Sequence, residues 1–146
     1  MTFLSFLQGA AGARINGNAR GTFVGMTLGT KKADMARAVM EGICYEMYDI
    51  IRAEEDSGIK IDKIRLAGGA AKSPLWCQMM ADIFKHPIQI LENGEAGCLG
   101  AALYAGAAKV ARTTFEYTPN PDNFEAYDKA YKRFCDVYDA LDGKIF

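Results

Sequence analysis

Two adjacent glycines and a serine–proline pair lie close together in the segment KIRLAGGAAKSPLW, residues 63–76. Ile64 and Leu66 alternate with charged residues, which is the period of a half-buried strand. Ser73 followed by Pro74 indicates a helix start, because the serine oxygen can accept free N–H groups and proline fits the first helical position. The segment therefore predicts a strand, a loop of small residues and then a helix.

A junction of this kind can receive a planar or anionic ligand, because a backbone without β-carbons allows close approach and a helix N-terminus offers N–H donors. A tight turn is the simpler interpretation, and spacing alone favours it. The loop matches neither G-x-G-x-x-G nor the phosphate loop G-x-x-x-x-G-K-[ST], so it does not hold a triphosphate by itself. Ligands of α/β proteins nevertheless bind at the carboxyl ends of strands, which is where Gly68 to Ser73 would lie.

Composition excludes several classes of function. The chain has 146 residues, the size of one domain, and a formal net charge of -1, which gives no reason to expect nucleic acid or an anionic membrane as a partner. Its 4 cysteines are widely spaced and it has 1 histidine, so no zinc or other metal site is expected. Reduced thiols and the lack of a basic region before the apolar start indicate a cytoplasmic protein.

The elements that would position the glycine loop follow from hydrophobic periodicity. Strands and helices alternate through the middle of the chain, which predicts an α/β fold with helices covering a sheet. The second predicted helix buries Leu75, Met79 and Ile83, and the last one carries an aromatic stripe typical of a core. The predicted helices cover about Lys32 to Asp56, Pro74 to Phe84, Ala96 to Val110, and the residues after Asn120-Pro121, while a short strand restarts at Ile88 and Asn93-Gly94 forms a turn.

Six segments, in order, resemble motifs of the C-terminal domain of the FGGY carbohydrate kinases. The segments are FLSFLQG, NARGTFVGMTLG, RAVMEGICYEM, LAGGAAKSPLWCQMMADIFKHPI, EAGCLGAALYAGAA and YTPNPDNFEAYDKAYKRFCDVYDAL. The fourth is similar to the family's G-G-G-[AS]-K-S-x-x-W-x-Q-[IM]-x-A-D pattern. A single match of this kind would be weak, whereas six in the right order are specific.

The resemblance implies a ribonuclease H-like, actin-like ATPase fold, with residues 1–146 forming the nucleotide-side C-terminal domain and the N-terminal catalytic domain absent. It implies ATP and Mg²⁺ as cofactors of the complete two-domain enzyme and a sugar as its substrate. The catalytic aspartate of the family belongs to the other domain, so no catalytic residue is assigned here. By the same resemblance, Gly68, Gly69 and Ala70 would pass beneath the adenine and ribose, and Ser73 would stand near the base.

The chain departs from the family in the run after its first motif. The acidic-Arg-x-Pro run that follows F-L-P-[YF]-L-x-G in the family is replaced by Ala10, Ala11, Gly12 and Ala13. This departure leaves the sugar open. A pentulose such as xylulose is the expected substrate, and an L-xylulose kinase is compatible with the change.

Three hypotheses about function follow. The first is a domain of a pentulose kinase that is inactive alone, with the missing N-terminal kinase domain as its partner. The second is a freestanding non-catalytic interaction or regulatory domain. The third is a small dinucleotide-binding module, which lacks an acidic residue in the expected context after the glycine loop. The apolar residues Phe3 to Leu7 are expected to contact the absent domain or a second copy, so a homodimer is a further partner left open.

Overall fold

The computed structural model describes residues 1–92, 94–106 and 112–146. The chain folds as two compact units. The first consists of Met1–Lys60 with Asp122–Phe146, and the second is Ile61–Pro121.

The first unit packs two long helices against short antiparallel strands. Its elements are β1 (Thr2–Leu4), β2 (Ala10–Ala11), β3 (Ile15–Asn16), β4 (Thr22–Val24), α1 (Lys32–Asp56) and the final helix α4 (Phe124–Leu141). Strand β1 pairs with β4, and β2 forms a hairpin with β3. The core includes Phe3, Leu4 and Phe6 together with Phe134 and Tyr138 of the aromatic stripe. The prediction that Phe3 to Leu7 contact the absent domain or a second copy is wrong for Phe3, Leu4 and Phe6, which are buried within the chain, whereas Leu7 is exposed.

Helix α1 has the predicted bounds. It begins where the Lys31 N–H donates to the Asp34 carboxylate at 2.8 Å and ends at Ser57, before Gly58 with φ +91°. The apolar residues at helical spacing that predict this helix are Met35, Val39, Ile43, Met47 and Ile50. The inner face differs from this series, because Met47 and Ile50 are exposed. The buried positions of α1 are Ala38, Gly42, Cys44, Tyr45 and Asp49.

The second unit is a three-stranded mixed sheet with two helices. Its elements are β5 (Ile64–Leu66), α2 (Pro74–Phe84), β6 (Ile88–Leu91), α3 (Ala96–Tyr104) and β7 (Thr113–Tyr117). The strand order is β5-β6-β7, with β5 parallel and β7 antiparallel to β6. The predicted helices on a mixed sheet are thus confirmed, and the bounds of α2 and the start of β6 agree with the prediction. Strand β7 was missed, because its exposed residues lack the alternation of a half-buried strand.

Two sequence predictions in this unit need correction. Helix α3 ends at Tyr104 rather than near Val110, because Ala105 caps it and Gly106 has φ +71°. Leu75, predicted to be buried by α2, has 61% of its surface exposed, whereas Met79 and Ile83 are buried. The predicted continuation of α3 through residues 107–110, and position 93 of the predicted turn, lie outside the described residues.

Across the described residues, no helix combines the length and apolar character needed to cross a membrane.

Candidate functional site

The glycine loop leaves the carboxyl end of β5, as predicted. Gly68 has φ +84°, a left-handed conformation that glycine adopts without steric cost. Its N–H donates to the carbonyl of Gly94, in the segment after β6, at 3.1 Å. The loops that follow the two parallel strands are therefore joined by a backbone hydrogen bond, which fixes the direction in which the chain leaves the sheet.

A single 3-10 turn, Ala70–Lys72, follows the glycines. Gly69 has φ -63° and ψ -41°, an ordinary right-handed conformation, so only Gly68 requires glycine for its backbone angles. The Lys72 N–H donates to the Gly69 carbonyl at 3.1 Å, and the Ser73 N–H donates to the Ala70 carbonyl at the same distance. These bonds give the loop a defined shape.

Ser73 is the N-cap of α2, which confirms the prediction. Its Oγ accepts a hydrogen bond from the Trp76 N–H at 3.3 Å, and Pro74 occupies the first helical position. The Ser73 carbonyl accepts the Cys77 N–H at 2.9 Å. The serine hydroxyl and the first turn of α2 therefore lie next to the glycine loop.

The surface of the loop is open at its glycines. A β-carbon placed on Gly68 or Gly69 would meet no other atom within 4 Å. Neither glycine is thus required for packing inside the described part of the chain. Open glycine backbone beside a helix N-terminus leaves room for a flat ligand group to contact the main chain.

A polar network centred on the buried Asp82 holds the C-terminal half of α2. The Gln78 side-chain amide donates to the Asp82 carboxylate at 2.8 Å and to the Thr118 carbonyl at 2.9 Å. Asp82, only 2% exposed, also accepts the Asn120 N–H at 2.8 Å. These bonds tie the helix to the segment after β7, so the N-cap of α2 stands on a helix that is anchored along its length.

The structure brings Gly68, Gly69, Ala70 and Ser73 together in one continuous loop, and their assignment to adenosine stays a prediction. Two features of this site were not predicted from the sequence. One is the bond to Gly94, because nothing in a sequence indicates which two loops meet. The other is Cys77, which lies at a variable position of the motif and contacts the turn from below.

The fold and the motif order agree with comparisons to known proteins. The model of the FGGY family of carbohydrate kinases, C-terminal domain, matches residues 1–109. A solved structure of ligand-bound xylulose kinase from Lactobacillus acidophilus is similar, with a TM-score of 0.79 and 32% identity, over 98% of this chain and 31% of that one. The chain belongs to the FGGY family of carbohydrate kinases, and its fold is of the actin-like ATPase type.

Individual relatives differ in their substrates. A xylulose kinase from Staphylococcus epidermidis is 34% identical over 97% of this chain and 30% of its own length. A glycerol kinase from Haloarcula marismortui is 38% identical over 85% of this chain and 26% of its own length. The chain therefore spans less than a third of the length of these curated relatives.

Proposed function

We propose that this chain is the nucleotide-side domain of an ATP-dependent kinase that phosphorylates a hydroxyl of a pentulose such as xylulose. In this proposal the loop from Gly68 to Ser73 forms the wall against which the adenosine of ATP lies. Family membership supports the kinase class. The similarity to two xylulose kinases favours a pentulose, although a glycerol kinase is similar to the same degree.

The open backbone at Gly68 and Gly69 is the observation that carries the nucleotide assignment. An adenine ring is a flat apolar surface with polar edges, and it needs main chain that it can approach without side chains between. Both glycines offer such main chain, since the space beyond their α-carbons is empty to at least 4 Å. The residues present therefore fit the nucleoside part of ATP.

Each residue of the loop has a distinct task in this proposal. Gly68 provides the left-handed turn that brings the backbone to the surface, and Gly69 and Ala70 provide the flat wall. The Ser73 hydroxyl accepts the Trp76 N–H, so its own hydrogen can donate to a ring nitrogen or a ribose oxygen. ATP supplies the phosphoryl group, and this loop binds and orients the nucleoside.

Mg²⁺, the other expected cofactor, is assigned no ligands in the described part of the chain. Within residues 1–92, 94–106 and 112–146, no three His, Cys, Asp or Glu side chains are grouped as metal ligands would be. No step of the proposal is therefore assigned to a metal held by this chain. General-base chemistry on the sugar hydroxyl is likewise assigned to no described residue, which is why a partner N-terminal kinase domain belongs to the proposal.

The test compares nucleotide binding to the wild-type chain and to Gly69→Val. Because Gly69 has right-handed backbone angles and open surroundings, valine is accommodated by the fold but occupies the space proposed for adenine. Titration with ATP and with adenosine, followed by amide NMR, should shift the signals of Gly68 and Ser73 in the wild type. The variant should lose these shifts.

Gly17→Val is the matched control, since a β-carbon on Gly17 also meets nothing within 4 Å and Gly17 lies in the other unit. It should bind nucleotide like the wild type. A folded Gly69→Val chain that binds ATP unchanged would overturn the adenosine wall. A wild-type chain that binds neither ligand would leave the non-catalytic interaction domain as the better hypothesis.

A further inference from the structure

Cys77 lies directly under the glycine loop, one turn into α2. Its side chain is fully buried. The Sγ atom is 3.5 Å from the Ala70 carbonyl oxygen and 3.7 Å from that of Ala71, both within the reach of a thiol hydrogen bond. The thiol thus contacts two consecutive carbonyls of the 3-10 turn that follows the glycines.

The Ala70 carbonyl is the point where two sets of interactions meet. It accepts the Ser73 N–H at 3.1 Å, which closes the turn, and it also faces the Cys77 thiol. The backbone of Cys77 adds a third link, because its N–H donates to the Ser73 carbonyl at 2.9 Å. One residue of α2 therefore holds both the turn and the N-cap in position.

The Cys77 thiol can donate a hydrogen bond to the carbonyls that it contacts. Burial raises the pKa of the Cys77 thiol, so the sulfur keeps its proton and can donate it. With a single hydrogen it can satisfy one of the two carbonyls at a time. Longer side chains at this depth would press on the turn, and a smaller one would leave its carbonyls without a donor beneath them.

We propose that Cys77 is a positioning residue for nucleotide binding, because its buried thiol fixes the Ala70 and Ala71 carbonyls and with them the wall formed by Gly68 to Ser73. The proposal rests on the proposed function of that loop. Cys77 itself does not touch the ligand. Its effect is on the shape and rigidity of the surface that does.

The test uses Cys77→Ala, with Cys77→Ser as the variant that restores a donor. Loss of one hydrogen bond under the loop should weaken ATP and adenosine binding by about threefold to tenfold in Cys77→Ala. Hydrogen exchange at the Ser73 amide should accelerate, since the Ala70 carbonyl that it bonds is no longer held. Cys77→Ser should recover a large part of both losses.

Cys44→Ala is the matched control. Cys44 is also fully buried on a helix, but it belongs to the other unit. It should lower the melting temperature as a buried truncation does, while leaving nucleotide affinity and Ser73 exchange unchanged. A purely structural effect of losing a buried thiol is thereby separated from an effect on the loop.

The outcomes distinguish the two proposals. If the wild type binds nucleotide and Cys77→Ala binds within twofold of it, the positioning role is wrong and the adenosine wall stands. Affinity loss in Cys44→Ala equal to that in Cys77→Ala would also overturn the role. If the wild type itself does not bind, the adenosine wall fails and the role of Cys77 in binding fails with it.

Discussion

Gly42 decides how closely α1 approaches β1. A β-carbon on this residue would lie 2.3 Å from the carbonyl oxygen of Phe3, a distance that backbone atoms cannot relieve without moving an element. The Ser5 hydroxyl strengthens the same contact, because it donates to the Glu46 carboxylate at 2.6 Å. The glycine of the R-A-x-x-E-G motif therefore serves packing in this chain.

Gly42→Ala should destabilise the first unit by about 3 kcal/mol, because overpacking against a fixed backbone forces β1 away from the helix. Urea unfolding followed by circular dichroism measures the change. Gly97→Ala is the control, since Gly97 is also helical but has open surroundings. That variant should be neutral or stabilised by up to about 1 kcal/mol. Equal stability of Gly42→Ala and the wild type would show that β1 moves away from α1 without a cost in unfolding free energy.

At the scale of elements, the β2–β3 hairpin is anchored to both long helices by one arginine. Arg14 Nε donates to the Asp49 carboxylate of α1 at 2.6 Å, and its guanidinium lies 4.6 Å from the centroid of the Tyr138 ring of α4. Asp49 also accepts the Tyr131 hydroxyl and is only 9% exposed. Burial lowers the pKa of Arg14, but the hydrogen bond and the charge of Asp49 outweigh this effect and raise that pKa, so the guanidinium keeps its charge.

Asp49→Ala should cost about 3 kcal/mol of unfolding free energy, because Arg14 Nε and the Tyr131 hydroxyl lose their acceptor in a largely buried site and Arg14 keeps only its ion pair with the exposed Asp139. Thermal and urea unfolding measure this loss. Asp136→Ala is the control, since Asp136 pairs with Lys132 on the surface of α4 and is 61% exposed. It should change stability by about 0.5 kcal/mol or less.

The double variant Arg14→Met with Asp49→Ala tests whether the loss of the buried partner of Arg14 is the cause. If so, removing Arg14 as well should recover part of the stability lost in Asp49→Ala. If the double variant loses as much stability as Arg14→Met and Asp49→Ala lose in sum, the anchoring depends on packing and not on the ion pair.

At the scale of the whole molecule, we expect the chain by itself to show no ATP-dependent phosphorylation of xylulose, L-xylulose or glycerol. The reason is that the family resemblance assigns the catalytic aspartate to the other domain, and that the chain spans 30% of a related xylulose kinase. A coupled assay for ADP release measures this. Turnover that persists through repeated purification would contradict the domain assignment.

A positive version of the same experiment adds the remaining part of a related kinase. Joined to the N-terminal part of the xylulose kinase from Staphylococcus epidermidis, the chain should restore measurable phosphorylation of xylulose. Gly69→Val in that hybrid should raise the KM for ATP more than the KM for the sugar, because the wall contacts only the nucleotide. A rise in the KM for the sugar alone would show that the loop contacts the sugar and not ATP.

Local signals in the sequence determined much of the fold. The capped start of α2 at Ser73-Pro74, the end of α1 at Ser57-Gly58 and the strand before Gly68 depend on neighbouring residues, so they could be predicted with their bounds. The order of six motifs determined the family. The two helix ends follow from backbone conformation and hydrogen bonds that a short segment satisfies within itself, and the strand follows from the alternation of its residues.

Only the tertiary structure decided which surfaces are buried and which loops meet. The apolar series of α1 predicted the helix but not its inner face, because Gly42 and the ion-paired Asp49 pack inward where strand and arginine approach. Gly94 and Cys77 support the glycine loop through contacts that no local signal indicates. Gly94 is distant in the sequence, and Cys77 lies at a variable position of the motif. Such contacts arise when elements pack, since close approach and pairing of buried charges depend on neighbours in space.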